Sequence, residues 1–254
     1  MRLLTLARDL KRRKARERQR LFVAEGVRAV EELLRSPLRI RGALTAAQLL
    51  EAPRGAQLAE ALRVAAVPVE SVEPGEFGSA AETESPQGVV AIAEVPQRSL
   101  ADLENDWTGV MVVLDAVQDP GNVGTIVRTA AALGAVATIT LPGTVDLWNA
   151  KVVRSGMGAH FRHPAFASTW TELDSFRERT GTRLFAADAG GEPVSSVTAA
   201  RRMALIVGNE GAGLSPDTLT RADRLVALPL AQGAESLNVA VATGILLYQF
   251  RFRQ

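Results

Sequence analysis

Three polar stretches, each following an apolar run, hold most of the side chains in this 254-residue sequence whose types and spacing could do chemistry. The first runs from Asp115 to Ala130 and carries Asn122 and Arg128. Its glycines stand at a strand-to-helix turn, where backbone N–H groups can approach a phosphate. The spacing argues against a dinucleotide or nucleoside triphosphate loop. Gly121 and Gly124 do not make G-x-G-x-x-G, and no Lys-Ser/Thr pair follows. Asn122 is placed to cap the helix, and Ile126, Ala130 and Leu133 mark its buried stripe, so Arg128 points off that stripe. The second stretch, Gly208-Asn-Glu-Gly-Ala-Gly-Leu214, lets backbone come close to a ligand while Glu210 offers a charge. In the third, the apolar run Leu225 to Leu230 breaks at Pro229. Ser236 is then placed to cap a helix with Leu237, Val241, Ile245 and Tyr248 on one stripe, leaving Ser236, Asn238 and free backbone groups in the loop.

Other chemistries find less support. The chain has no cysteine, which excludes disulfides, thiolate zinc sites and cysteine nucleophiles. His160 and His163 lie three apart with no acidic or cysteine cluster to complete a metal site, so no metal is expected. A hydrolytic Ser/His/Asp set with supporting motifs is missing. The net charge of +1 conceals a basic run, Lys11, Arg12, Arg13, Lys14, Arg16, Arg18 and Arg20, suited to nucleic-acid phosphates. Asp9, Glu17 and a shortage of Ser and Thr argue against reading that end as a mitochondrial presequence.

The elements that must position these groups alternate between strand and helix patterns. With 47% hydrophobic and 22% charged residues the composition is globular, and no apolar run of about 18 residues suggests a membrane span. A soluble, cytoplasmic protein is expected. Phe22 to Leu34 reads as an amphipathic helix, followed by strands at Ile40 to Thr45, Ala66 to Val69 and Gly88 to Ala93 around a helix from Ala56 to Val64. Charge rises and periodicity fades from Pro96 to Asp106. The expected domains are therefore 1–96, a small α/β unit; 97–106, a linker; and 107–254, a parallel α/β domain. In the last, strands are expected at Gly109 to Leu114, Ala135 to Leu141, Phe166 to Ser168, Thr182 to Asp188 and Met203 to Gly208. Helices are expected after Gly121, at Asp146 to Met157 and at Leu173 to Arg179.

Taken in order, the three stretches resemble the three motifs of the SpoU family of RNA ribose 2′-O-methyltransferases, within the SPOUT class. The likeness covers about Trp107 to Arg253. The part before it, through Phe22-Val-Ala-Glu-Gly-Val-Arg28 and Ser85-Pro-Gln-Gly-Val89, looks like the ribosomal-protein-like RNA-binding domain that often precedes this catalytic domain. The resemblance implies a parallel sheet whose C-terminal segment threads a deep trefoil knot, a homodimer through the C-terminal domain, and S-adenosyl-L-methionine held in the knot at Gly208, Leu228, Leu230 and Leu237. Leu230 stands where the family often has Met. It also implies that Asn122, Arg128, Glu210, Ser236 and Asn238 form the reacting site. Arg128 would grip the neighbouring phosphate and stabilise the developing alkoxide, since a guanidinium is a poor base. The implied substrate is ribosomal RNA of the 23S type, with transfer RNA as the alternative. A non-catalytic RNA-binding or ribosome-assembly factor is the competing class.

Overall fold

A computed structural model describes residues 2–103, 107–232 and 236–252. Glu235 of the third motif and the end of the expected linker lie outside the described residues. The chain divides into two compact units, one of residues 1–96 and 148–162, the other of residues 97–147 and 163–254.

The first unit opens with α1 (Leu3–Asp9) and α2 (Arg13–Gln19), then β1 (Leu21–Glu25), α3 (Val27–Leu34), β2 (Ile40–Thr45), α4 (Pro53–Val64), β3 (Val69–Ser71), α5 (Pro74–Ala80) and β4 (Val89–Glu94). The sheet order is β1-β4-β2-β3, antiparallel except for the β2–β3 pair. This corrects the single helix expected over 22–34. Val23, Val27, Val30 and Leu34 do recur at helical spacing, but all five residues of β1 are buried and Gly26 takes φ +96°, a left-handed conformation open to glycine. The helix begins only after it. Leu6, Leu10, Val23, Leu44, Phe77 and Ile92 fill the core on one side of the sheet.

The second unit is built on β5 (Gly109–Leu114), α6 (Pro120–Ala132) and β6 (Thr138–Thr140). After α7 (Ala150–Ser155), which belongs to the first unit, it continues with β7 (Ala165–Ala167), α8 (Trp170–Thr180), β8 (Arg183–Pro193), β9 (Arg202–Val207), α9 (Pro216–Arg221), β10 (Arg224–Ala227) and α10 (Val239–Phe252). Six parallel strands run in the order β10-β8-β9-β5-β6-β7. β5 and β9 are apolar apart from their first residues, Gly109 and Arg202, and buried along almost their whole length, as a sheet covered on both faces requires. The expected helix Asp146 to Met157 shortens to α7, whose start is fixed by Asn149 accepting from Lys151 N at 2.9 Å. Trp148 and Phe161 on either side of α7 both pack on Phe22, the first tilted and the second stacked, at ring-centroid distances of 4.5 and 5.8 Å.

His163 bonds Thr138 at 2.9 Å inside the second unit, and burial pushes its pKa down to about 4. The folded chain therefore keeps it neutral over a range where the unfolded chain protonates it. Stability is complete above about pH 6.5 and is lost as pH falls toward 4, by up to about 3 kcal/mol. Urea titrations from pH 7 to 4 are expected to show this loss reduced in His163→Gln. An equal fall in both proteins would assign the pH dependence elsewhere.

Candidate active site

The second unit gathers its polar side chains at the carboxyl ends of β5 and β9, where open α/β sheets bind ligands. At the end of β5, Asp115 is buried and accepts from Ser215 N at 2.8 Å and Thr218 Oγ1 at 2.6 Å. It thereby ties the segment after β9 to β5. Asn209 does the same from the other side. Its amide donates to Ala116 O at 2.9 Å, and its Oδ1 accepts from Gly211 N and Ala212 N. The turn closes on itself through paired backbone bonds between Asn209 and Gly213. Gly208 has to be glycine there, since a Cβ would sit 2.4 Å from Gly213 O.

This scaffold delivers Glu210 to the start of α6. Asn122 Nδ2 donates to Glu210 Oε1 at 2.9 Å, and the N–H groups of Gln118 and Asp119 point at the same carboxylate at 3.5 and 3.4 Å. Partial burial raises the Glu210 pKa, but the Asn122 amide and the backbone donors outweigh it, so the group lies below the usual carboxylate range. It is an anion at neutral pH. Asn238 completes the chain: its Nδ2 donates to Asn122 Oδ1 at 2.9 Å, while its Oδ1 accepts from Ala240 N and Val241 N at the start of α10.

The direction of this network follows from its charged end. A carboxylate only accepts, so Asn122 turns its NH2 toward Glu210 and its carbonyl toward Asn238. The helix N–H groups fix Asn238 in the same sense. Each amide keeps one further N–H, and both residues lie toward solvent, so the site offers hydrogen-bond donors to an incoming oxygen.

Two caps differ from expectation. The α6 cap is Asp119, whose Oδ1 accepts from Asn122 N at 2.7 Å, with Pro120 at the first helical position; Asn122 is already inside the helix. The Asp-Pro pair is the local signal that could have given this cap. At α10 the cap is Asn238 and not Ser236, which is exposed. Arg128 is exposed on α6 and makes no hydrogen bond or ion pair to a described residue, so the chain brings Asn122, Glu210 and Asn238 together but leaves Arg128 and Ser236 outside that network. The expected strand Leu225 to Leu230 ends at Ala227, and past it Leu230 and Leu237 are 38% and 41% exposed. Asp115, the positioning residue of the second loop, was not among the expected site residues.

The basic run of the first unit changes character in the structure. Arg16 is buried, donating to Leu10 O and Lys11 O at 2.7 and 2.8 Å, so it packs as a core cation and is removed from the expected RNA-facing set. Lys11 reaches Ala81 O at 2.7 Å, Arg12 and Arg18 pair with Asp9, and Arg13 pairs with Glu17 at 2.7 Å. Lys14 and Arg20 are exposed, and Arg20 takes φ +54° at the end of α2.

A parallel sheet with three loops meeting at its carboxyl edge, ending in an anion-anchored amide pair, is the arrangement of an α/β ligand-binding enzyme domain. Residues 109–248 match the SpoU rRNA Methylase family, and the chain belongs to it. Residues 5–91 match the MRM3-like substrate binding domain. The 23S rRNA (guanosine(2553)-2′-O)-methyltransferase RlmP of Bacillus subtilis is 34% identical over 94% of this chain and 92% of its own. Among solved structures, the SpoU methyltransferase AviRb of Streptomyces viridochromogenes in complex with AdoMet superposes with a TM-score of 0.88 at 28% identity, covering 100% of this chain and 98% of that one. An AdoMet-bound rRNA methyltransferase from Sinorhizobium meliloti has a TM-score of 0.85 at 30% identity, with 99% and 94% covered.

Proposed function

We propose that this chain methylates a ribose 2′-hydroxyl in ribosomal RNA of the 23S type, using S-adenosylmethionine, as a cytoplasmic homodimer with a knotted C-terminal domain. The observation that carries the reading is the Glu210–Asn122–Asn238 chain of hydrogen bonds, which joins all three motif loops at one point.

The residues present fit the cofactor. Leu228, Leu230 and Leu237 leave apolar surface open beside the strand ends, suited to an adenine ring, and the Gly208 turn exposes backbone next to them. When bound, S-adenosylmethionine supplies an electrophilic methyl group. Asn122 and Asn238 direct their remaining N–H groups at the ribose oxygens and orient the attacking 2′-oxygen, with Ser236 as a further polar contact. Glu210 stays ionised and holds Asn122 in its donating orientation. The hydroxyl proton passes to solvent as the oxygen takes the methyl group. Arg128, with no partner among the described residues to compete for it, grips the adjacent phosphate and offsets the negative charge that grows on the oxygen as the proton leaves. Positioning then supplies much of the acceleration.

Two features support the assembly. Leaving β10 at the sheet edge, the chain returns to pack α10 on α6, β5 and β9, the path that threading through a loop would require. Val241, Ile245, Tyr248 and Phe252 recur along one face of α10 and are 45–58% exposed, while Ala240, Thr243, Leu246, Leu247 and Phe250 on the opposite side are buried. A helix apolar on both sides is missing a partner on one of them.

The test combines calorimetry with S-adenosylmethionine and transfer of its labelled methyl group to in vitro transcribed 23S rRNA, with mapping of the modified ribose. Micromolar cofactor binding and a single 2′-O-methyl mark are expected, and Arg128→Ala should retain the first while losing about 100-fold or more of the second. Absence of cofactor binding would favour a non-catalytic RNA-binding factor. Near-normal turnover in Arg128→Ala would sink the role given to that residue.

A further inference from the structure

We propose that a cleft in the first unit lined by Arg28, Ser85, Gln87, Arg154 and Met157 is a subsite for one nucleotide of the RNA, with its phosphate on Arg28 and Arg154. The inference rests on the RNA-methylating reading above and says where in the first unit the chain grips its substrate.

The cleft forms where two distant stretches of sequence meet. Gly26 N donates to Val89 O at 3.0 Å, and Val27 N donates to Gln87 Oε1 at 2.9 Å, which brings the strand–glycine–helix junction of β1 and α3 against the turn before β4. The end of α7 contributes Arg154 to the same cleft, and the turn after it contributes Met157. Its volume of about 300 Å³ is at the lower end of ligand pockets, a size suited to a single nucleotide.

Charge accounting favours an anion. Most cations of the basic run already have partners within the chain, Asp9, Glu17 and backbone carbonyls, although all but Arg16 remain exposed. Arg28 and Arg154 are exposed and make no hydrogen bond or close ion pair to a described residue; Glu31 attracts Arg28 at longer range, but both of its oxygens accept from Arg54, at 2.9 and 2.5 Å. The carboxylate of the same cleft, Glu25, does not neutralise them. It is buried, and its oxygens accept from Glu82 N at 2.7 Å, Thr83 N at 3.2 Å and the Thr83 hydroxyl. Two guanidinium groups sharing a cleft repel each other until an anion joins them, and their planar forks match phosphate oxygens. Ser85 adds a hydroxyl without a partner among the described residues.

Backbone conformation at the rim points the same way. Gly26 and Met157, both lining the cleft, have φ +96° and +50°, and for methionine that conformation is strained. Strain of this kind persists where surrounding structure imposes it and collects at binding sites. An acidic peptide would satisfy the two cations, but the ribose and base of a nucleotide make better use of the polar Ser85 and Gln87 together with the Met157 surface.

The test measures affinity for in vitro transcribed 23S rRNA from 50 to 300 mM salt with the full-length protein. Proteins compared are the wild type, Arg28→Gln, Arg154→Gln, the double variant, and Arg63→Gln, which removes a paired charge on α4. Each cleft substitution is expected to weaken binding about tenfold and to flatten the log K against log salt slope by about 0.7 to 0.9, and the double variant by about twice that, with Arg63→Gln unchanged. Unaltered melting temperatures would show that the variants are folded. Wild-type binding with an unchanged slope in the double variant overturns the subsite and leaves the methyltransferase reading standing. Cofactor binding without any RNA binding by the wild type overturns both. An acidic peptide that binds the wild type and loses affinity in the double variant, while RNA does not, also overturns it.

Discussion

Glu210→Ala is expected to lower kcat for methyl transfer about 100-fold while leaving cofactor affinity within a few-fold of wild type. The carboxylate is what gives the network its direction. Without it Asn122 is free to turn its carbonyl toward the substrate, and the N–H groups of Gln118 and Asp119 lose their shared acceptor. Removing one preorganised donor from a reacting oxygen costs two to three orders of magnitude in other enzymes, and a flipped amide amounts to that loss. Glu210→Gln should fall between, at about tenfold, because a side-chain carbonyl can still accept from Asn122 but without the charge. Because the Glu210 pKa is lowered, the network persists at neutral pH and fails only as pH drops through that lowered value, so kcat in the wild type should be insensitive to this group above pH 5. Equal turnover for Glu210→Ala and wild type, with the modification still mapped to the same ribose, would remove the network from catalysis.

Placing charge on the open face of α10 should have the second large effect. In a double variant, Ile245→Asp with Tyr248→Glu, sedimentation is expected to change from twice the 27.1 kDa chain mass to the mass of one chain. Both positions lie on the exposed stripe, so an isolated chain would accept the substitutions at small cost. In a dimer they would bury two unpaired carboxylates per subunit, a cost of several kcal/mol. Methyl transfer should fall with the dimer if the assembly completes the site. A wild-type protein that sediments as a single chain at micromolar concentration would reject the homodimer.

The three motif loops were legible because each is encoded locally: an apolar run, then glycine and polar residues, then a helix. The contacts that join them span 88 and 116 residues, and the sequence held only their components. Caps were harder. Asp119 and Asn122, or Ser236 and Asn238, are all side chains that cap well, and the choice fell to tertiary demands. Pro120 starts α6 directly after Asp119, and Glu210 draws the Asn122 amide into the network. The strand β1 was hidden because Val23, Val27 and Val30 satisfy a helical period that only Gly26 interrupts. The basic run misled for another reason: net charge ignores pairing, and Asp9 alone accepts from Arg12, Arg18 and Gln19.

The excursion of residues 148–162 into the first unit bears on how the chain is made. Phe22 is fully buried, and the aromatic rings packed on it are Trp148 and Phe161. During synthesis the first unit therefore waits, with an unfinished hydrophobic face, until residue 162 has emerged, by which time β5, α6 and β6 of the second unit have been made. The two units mature on overlapping schedules. A protease cut or a gene truncation placed at residue 97 would not release two finished parts, because one would lack its last piece and the other would carry that piece without a home.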